Sequence, residues 1–320
     1  MKKYILLVLI TLCIPRITLS QVETHYYLKG YQFEDKSPMK IVDNKRNQVI
    51  TKLPSFDKEK MLKEDLEMKG LDVPYRFGKG FDVMLSLENG QWADVEGGRL
   101  WSMTFESEDA LSLNFIFTDF HLSDDAYLYI TNEDKTVIYG PVRTKDTTKD
   151  GFFMTDLIKG SCATIYLFEP TSQEEMSTLI IKRVVHGYKE VFANMENGAL
   201  GASADCNIDV ACHPEYEKES NAVGMVLLSN GTEWCSGSLL MTTDYSFAPY
   251  FLTAFHCIDI NSDGSLSNAE ISNAQKWLFK FNYKLSTCGG SSLSPSYTYN
   301  SDTFMAGNHD TDFALVKLNH

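Results

Sequence analysis

The chain is short of positive charge: across 320 residues, 29 lysines and arginines face 43 aspartates and glutamates, a formal net charge of −14. A surface of that sign repels phosphate backbones and anionic headgroups, which excludes nucleic acid and anionic membrane as the main partner. Beyond the first twenty residues no apolar run approaches the length of a membrane span. Internal repeats and low-complexity tracts are also absent. Cysteine is scarce in the first half, where Cys162 stands alone after the leader. Five more follow at 206, 212, 235, 257 and 288, an odd number, so one lacks a local mate.

What is present begins with a leader. Lys2 and Lys3 precede an apolar core from Tyr4 to Pro15, and the small residues Thr18 and Ser20 come before the expected cut. Residues 1–20 therefore read as a secretory signal peptide. The rival, a lipid anchor at Cys13, is disfavoured by the bulky Leu12. An exported, extracellular protein with no membrane attachment after leader removal follows, in a compartment that permits disulfides. The length suits two domains, each with its own core.

Residues 21–80 carry mixed signals, with a charged helix capped at Ser55 and stopped at Gly70 as the main feature. From Phe81 to Tyr188 the pattern changes to short β-branched and aromatic runs at 81–87, 100–105, 111–117, 126–130, 162–168 and 179–185. Glycine and Asp/Asn turns separate them, which predicts an antiparallel β-sandwich over 81–192. His121 and His186 have no partner at ligand spacing there and read as structural. Residues 193–205 are small, polar and patternless, a linker suited to a processing cut. Strands then follow at 222–229, 234–242, 250–254, 277–283 and 313–318, in the manner of an antiparallel barrel.

The chemistry concentrates in this second half. Tyr250 to Ala254 is an apolar strand that delivers His256, with Cys257 directly after it. Histidine is the side chain best suited to move protons near neutral pH. Asp312 precedes the alternating strand Phe313–Leu318, with Asp310 as a neighbour. The run Asp259-Ile-Asn261-Ser-Asp263-Gly264-Ser265-Leu-Ser-Asn-Ala-Glu270 carries oxygen donors at positions 1, 3, 5, 7 and 12 and glycine at 6, the pattern of an EF-hand calcium loop. No ordinary helix precedes it, so a single structural calcium site is the expectation. A polar Asn/Asp/Gly turn is the alternative. No organic cofactor is implied.

Thr253-Ala254-Phe255-His256-Cys257 resembles the catalytic-histidine signature of chymotrypsin-fold serine endopeptidases. Cys206-Asn207-Ile208-Asp209-Val210-Ala211-Cys212 is similar to the start of the mature domain of bacterial lysyl endopeptidases, and Trp277–Tyr283, Cys288 and Asp312–Leu318 resemble its later strands. Gly97–Trp101 and Ala110–Phe115 resemble the pro-region of that family. The resemblance implies a secreted trypsin-like precursor acting on proteins or peptides, with residues 206–320 in a chymotrypsin-like barrel and the sandwich as a pro-domain that assists folding or holds the protease inactive. It implies His256 as general base and acid, and Asp312 buried against it as the orienting carboxylate. It also implies bonds Cys235–Cys257 and Cys212–Cys288, leaving Cys206 without a mate here. The rival is Cys206 with Cys162. The family name suggests a lysine or other basic residue before the cut bond.

One element of the pattern is missing. No Gly-x-Ser-Gly motif occurs before His320. Ser236, Ser238, Ser291 and Ser292 read as structural, because a nucleophilic serine needs oxyanion donors from its own tight turn. The expectation is a truncated, inactive precursor lacking its nucleophile. The alternatives are a non-catalytic pseudoprotease and a calcium-dependent β-sandwich binding protein.

Overall fold

A computed structural model describes residues 21–30, 49–148, 150–171, 175–192, 207–290 and 292–319. The leader, the linker from 193 and Cys206 lie outside the described residues. The fold is mainly β. In chain order the strands are β1 (Val22–Tyr26), β2 (Ile50–Lys52), β3 (Tyr75–Arg76), β4 (Gly78–Ser86), β5 (Gln91–Val95), β6 (Gly98–Glu106), β7 (Ser112–His121), β8 (Tyr127–Asn132), β9 (Val137–Val142), β10 (Phe153–Met154), β11 (Ile158–Lys159), β12 (Cys162–Pro170) and β13 (Thr178–Gly187). The second half adds β14 (Val223–Leu227), β15 (Glu233–Leu240), β16 (Tyr250–Thr253), β17 (Leu278–Phe281), β18 (Ser296–Asn308) and β19 (Phe313–Leu318).

In the first half, β13, β7, β10, β11 and β4 form one sheet. A second layer runs β9–β8–β12–β6, with β5 and β2 beside β6. Alternating apolar residues of both layers meet in a single buried cluster, where Phe115, Phe117 and Val184 join Trp101, Phe105 and Ile165. In the second half, β14, β15, β16, β19, β18 and β17 are hydrogen-bonded in sequence, and β17 returns to β14. The result is a closed six-stranded antiparallel barrel filled by Val226, Phe251, Trp277, Phe279 and Val316. Closure removes the strand edges that an open sheet would expose.

Three strands differ from the sequence expectation in ways that matter. β1 arises where only mixed signals stood. It pairs with barrel strand β18 on one side and β9 on the other, so the barrel and the first half share one 14-stranded sheet. β18 is the longest strand, yet its serines and threonines read as loop. Ser296 and Thr298 are buried because they face partners: Ser296 Oγ lies 3.4 Å from the Tyr26 hydroxyl, and Thr298 Oγ1 donates to the Val22 carbonyl at 3.1 Å and lies 3.5 Å from the Tyr139 hydroxyl. The third is β3, taken up below. The early helix, α1 (Lys58–Glu67), is capped two residues later than expected, by Asp57, whose Oδ1 accepts the Lys60 N–H at 2.9 Å. A carboxylate there also complements the helix dipole, so it wins over Ser55.

The two halves are also joined by charge. Lys280 on β17 is buried and donates to Asp156 Oδ1 at 2.9 Å and to the Tyr26 hydroxyl at 3.0 Å, while Thr24 donates to Asp156 Oδ2 at 2.5 Å. Burial alone would lower the Lys280 pKa, but the Asp156 carboxylate holds the ammonium above its ordinary value. Removing one partner of such a pair strands a buried charge. Lys280→Met is expected to cost on the order of 3–5 kcal/mol in urea unfolding, with Asp156→Asn recovering part of the loss in the double variant.

His186 is structural, as expected, and buried. Its Nδ1 lies 2.7 Å from Ser107 Oγ, and the Phe56 ring packs edge-on against it at 4.8 Å. Burial, assisted by the Lys58 charge, pulls it down to about 4. An unfolded histidine titrates near 6.5, so between those values the unfolded chain binds the extra proton and stability falls as pH drops. Urea unfolding at pH 7 and pH 4.5 should show wild type losing up to about 2–3 kcal/mol through this group, and His186→Asn losing correspondingly less.

Candidate active site

The barrel topology brings His256 and Asp312 together. β16 and β19 are antiparallel, with Tyr250 opposite Lys317 and Thr253 opposite Ala314. The residue just past the end of β16 must therefore lie beside the residue just before β19. Past Ala254 the chain makes a 3-10 turn, Phe255–Cys257, whose Phe255 and Cys257 are buried and whose His256 is left facing outward. The Cys235–Cys257 disulfide ties that turn to β15, and the Thr253 hydroxyl adds a 2.9 Å bond to the Ser236 carbonyl. Gly237 is required between them. A Cβ there would sit 2.1 Å from the Leu252 carbonyl oxygen of β16.

Asp312 binds the histidine twice. Its Oδ1 accepts the His256 backbone N–H at 3.0 Å, and Nδ1 lies 2.9 Å from Oδ2 and 3.1 Å from Oδ1. With the Nδ1 proton held by the carboxylate, Nε2 presents its lone pair outward, the tautomer a general base needs. Burial would raise the Asp312 pKa, but the N–H and imidazole of His256 outweigh it and hold the carboxyl below the usual range. Asp312 adopts φ +44°, uncommon for a residue with a side chain, at the turn where its N–H bonds the His309 carbonyl. The carboxylate is oriented but not buried as expected: its side chain is 48% exposed, because it sits at the outer tip of the β18–β19 hairpin. Asp310 is elsewhere on that tip, 3.4 Å from His309 Nδ1.

The remaining cysteines fall as the resemblance implied. Cys212 bonds Cys288, and Cys162 carries a free thiol; Cys206 lies outside the described residues. Burial, followed by the charges of Glu133 and Glu106, pushes Cys162 up to about 11, which keeps it a poor nucleophile. Cys235, His256 and Cys257 place their ligand atoms within 4.8 Å of one another, but both sulfurs are spent in the disulfide.

His256 opens on a cavity of about 740 Å³. The barrel contributes Trp234, Cys235, Ser236, Ala254 and Tyr283, and the first half contributes Val73, Pro74, Tyr75, Glu190 and Val191. Reasoning from sequence missed that second set entirely. Nothing in Val-Pro-Tyr-Arg-Phe at 73–77 marks a functional segment, since its role comes from what it packs against. Ser236 lines the cavity, yet among the described residues no serine hydroxyl is hydrogen-bonded to His256. Ser238 is an in-register rung of β15, and Ser292 belongs to a distant turn with Ser286. Ser291 lies outside the described residues.

The 259–270 loop begins just past the histidine. Gly264 takes φ +79°, as the sixth position of a calcium loop requires, and Ser267 caps α3 (Asn268–Ala274; the intervening helix α2 is Glu217–Ala222). The carboxylates, however, do not converge. Asp259 accepts the N–H groups of Asp263 and Gly264, at 3.1 and 2.9 Å, and Asp263 accepts the Ser265 N–H and hydroxyl. Glu270 accepts the Ile260 N–H at 3.1 Å and the Ser267 N–H and hydroxyl at 2.8 and 2.7 Å, while Asn261 bonds Asp263. The loop as it stands is a self-satisfied turn and does not fit a metal cage, so no step below uses one. Tm is expected to be the same in excess calcium and in chelator. A rise with calcium would mean that Glu270 exchanges these hydrogen bonds for the ion.

Residues 200–320 match the family model of the lysyl endopeptidase C-terminal domain. Over that span the chain is similar to that domain. Among the described residues no helix is long and apolar enough to cross a membrane.

Proposed function

We propose that the protein is the precursor of a secreted serine endopeptidase, with His256 as general base and acid and Asp312 as its orienting carboxylate. The observation that carries this is the double engagement of His256 by Asp312, which sets the tautomer and the ring plane together. The lysyl endopeptidase match over the same residues supports it. In the reaction, Nε2 takes the proton of an attacking serine as that oxygen bonds the peptide carbonyl. It then returns the proton to the leaving amine, and Asp312 stabilises the imidazolium between the two steps. On this reading the serine is not Ser236, Ser238 or Ser292, and the proposal leaves the nucleophile unassigned. Cleavage after lysine or another basic residue is part of the proposal, as is maturation by a cut within 193–205 that separates a two-sheet pro-domain from the protease.

Expression from the whole reading frame, followed by assay on peptidyl amides with lysine, arginine or leucine before the cut bond, is the test. His256→Ala and Asp312→Asn are each expected to lower kcat by on the order of 10⁴-fold or more, with both disulfides still formed. A correctly oxidised wild type that hydrolyses none of the amides would sink the reading and leave a non-catalytic binding protein.

A further inference from the structure

The segment Val73–Phe77 lies on the barrel as an added strand. β3 pairs antiparallel with the start of β15, Tyr75 opposite Trp234 and Arg76 opposite Glu233, and Phe77 continues the ladder by donating its N–H to the Thr232 carbonyl at 2.9 Å. Tyr75 and Phe77 both stack on the Trp234 indole, with ring centroids 5.7 and 5.1 Å away and interplanar angles of 20° and 29°. Extended peptides are recognised in this way, with main-chain pairing for affinity and alternate side chains for fit.

Direction matters here. β15 runs from Glu233 through Cys235 and Ser236 toward the His256 cavity, so its antiparallel partner has its N-terminal end at that cavity. Val73 and Pro74 accordingly line it with His256, while Arg76 and Phe77 lead away. A chain that starts at the catalytic histidine and runs outward has the polarity of the amine-side half of a cut peptide. Pro74 at the inner end has no N–H to donate.

The segment is clipped from behind. The Arg76 guanidinium reaches Asp65 of α1 at 2.7 Å and Glu64 at 3.1 Å. Asp65 also takes the Tyr188 hydroxyl and the Lys189 ammonium, each at 2.8 Å, and Lys189 lies 4.5 Å over the Tyr75 ring. One carboxylate thus holds the strand, its aromatic side chain and the end of β13 together.

We propose that Val73–Phe77 is an autoinhibitory strap, a built-in occupant of the edge where the amine-side strand of a peptide substrate would lie, clipped there by Asp65. It rests on the protease reading for what it inhibits, but not for where it binds. A fluorescein-labelled peptide of residues 73–78 is titrated by anisotropy against the wild-type chain and against Asp65→Asn and Arg76→Ala. Formation of Cys235–Cys257 reports folding, and Lys189→Gln is a milder third variant. Unclipped chains should bind the peptide at least tenfold more tightly than wild type, and adding Trp234→Ala should abolish that binding. Equal binding to clipped and unclipped chains, or binding that survives Trp234→Ala, would overturn the strap. In the protein from the whole reading frame, unclipping should raise the initial peptidase rate before processing. Trans binding without any hydrolysis keeps the strap and removes the protease reading. Hydrolysis with no gain in peptide binding removes the strap alone.

Discussion

The antiparallel register of β16 against β19 is the constraint on which the site depends. Thr253 faces Ala314, and neither strand can slip by one residue without turning Phe251 and Val316 out of the barrel core. That register places the turn carrying His256 against the hairpin tip carrying Asp312. The disulfide from Cys257 to Cys235 fastens the same turn to β15 on its other side. A histidine on a loop is thereby held by a closed barrel, a covalent bond and a carboxylate. This is the rigidity that proton transfer at a fixed atom demands.

The first half is built around this barrel rather than beside it. β1 extends the barrel sheet into β9, β3 extends β15, and the buried Lys280–Asp156 pair sits behind the first of these seams. Each contact has a consequence for release of the first half. Strand pairing at β1 and β3 leaves unpaired N–H and C=O groups if it is broken, and Lys280 leaves a charge. If the chain matures by the proposed cut in 193–205, that cut alone would leave all three contacts in place, and separation of the halves would need a second event. The order follows from hydrogen bonding and charge burial, not from the linker.

Much of the fold was legible in the sequence because short β-branched and aromatic runs bounded by turn residues mark strands. The runs at 100–105 and 162–168 lie within β6 and β12, the run at 111–117 overlaps β7, and all but one of the barrel strands were placed. β18 was not, because its buried side chains are serine and threonine. Ser296 and Thr298 are buried by pairing with β1 across the seam rather than by hydrophobicity. The calcium pattern at 259–270 shows the converse, where a complete motif of donor types is satisfied by its own backbone N–H groups.

What the sequence determined by itself was which histidine and aspartate come together, and their cysteine support. His256 followed by Cys257, and Asp312 before an apolar strand, are local patterns that do not depend on the rest of the chain. Tertiary structure alone decided what surrounds them: that Asp312 is half open to solvent, and that Val73–Tyr75 and Glu190–Val191 wall the cavity. The segment at 73–77 is read as a strand only through its partner, because two residues of pairing carry no period of their own. Its meaning comes from the Trp234 face, the Asp65 carboxylate and the direction of β15. None of these lies near it in sequence except Asp65.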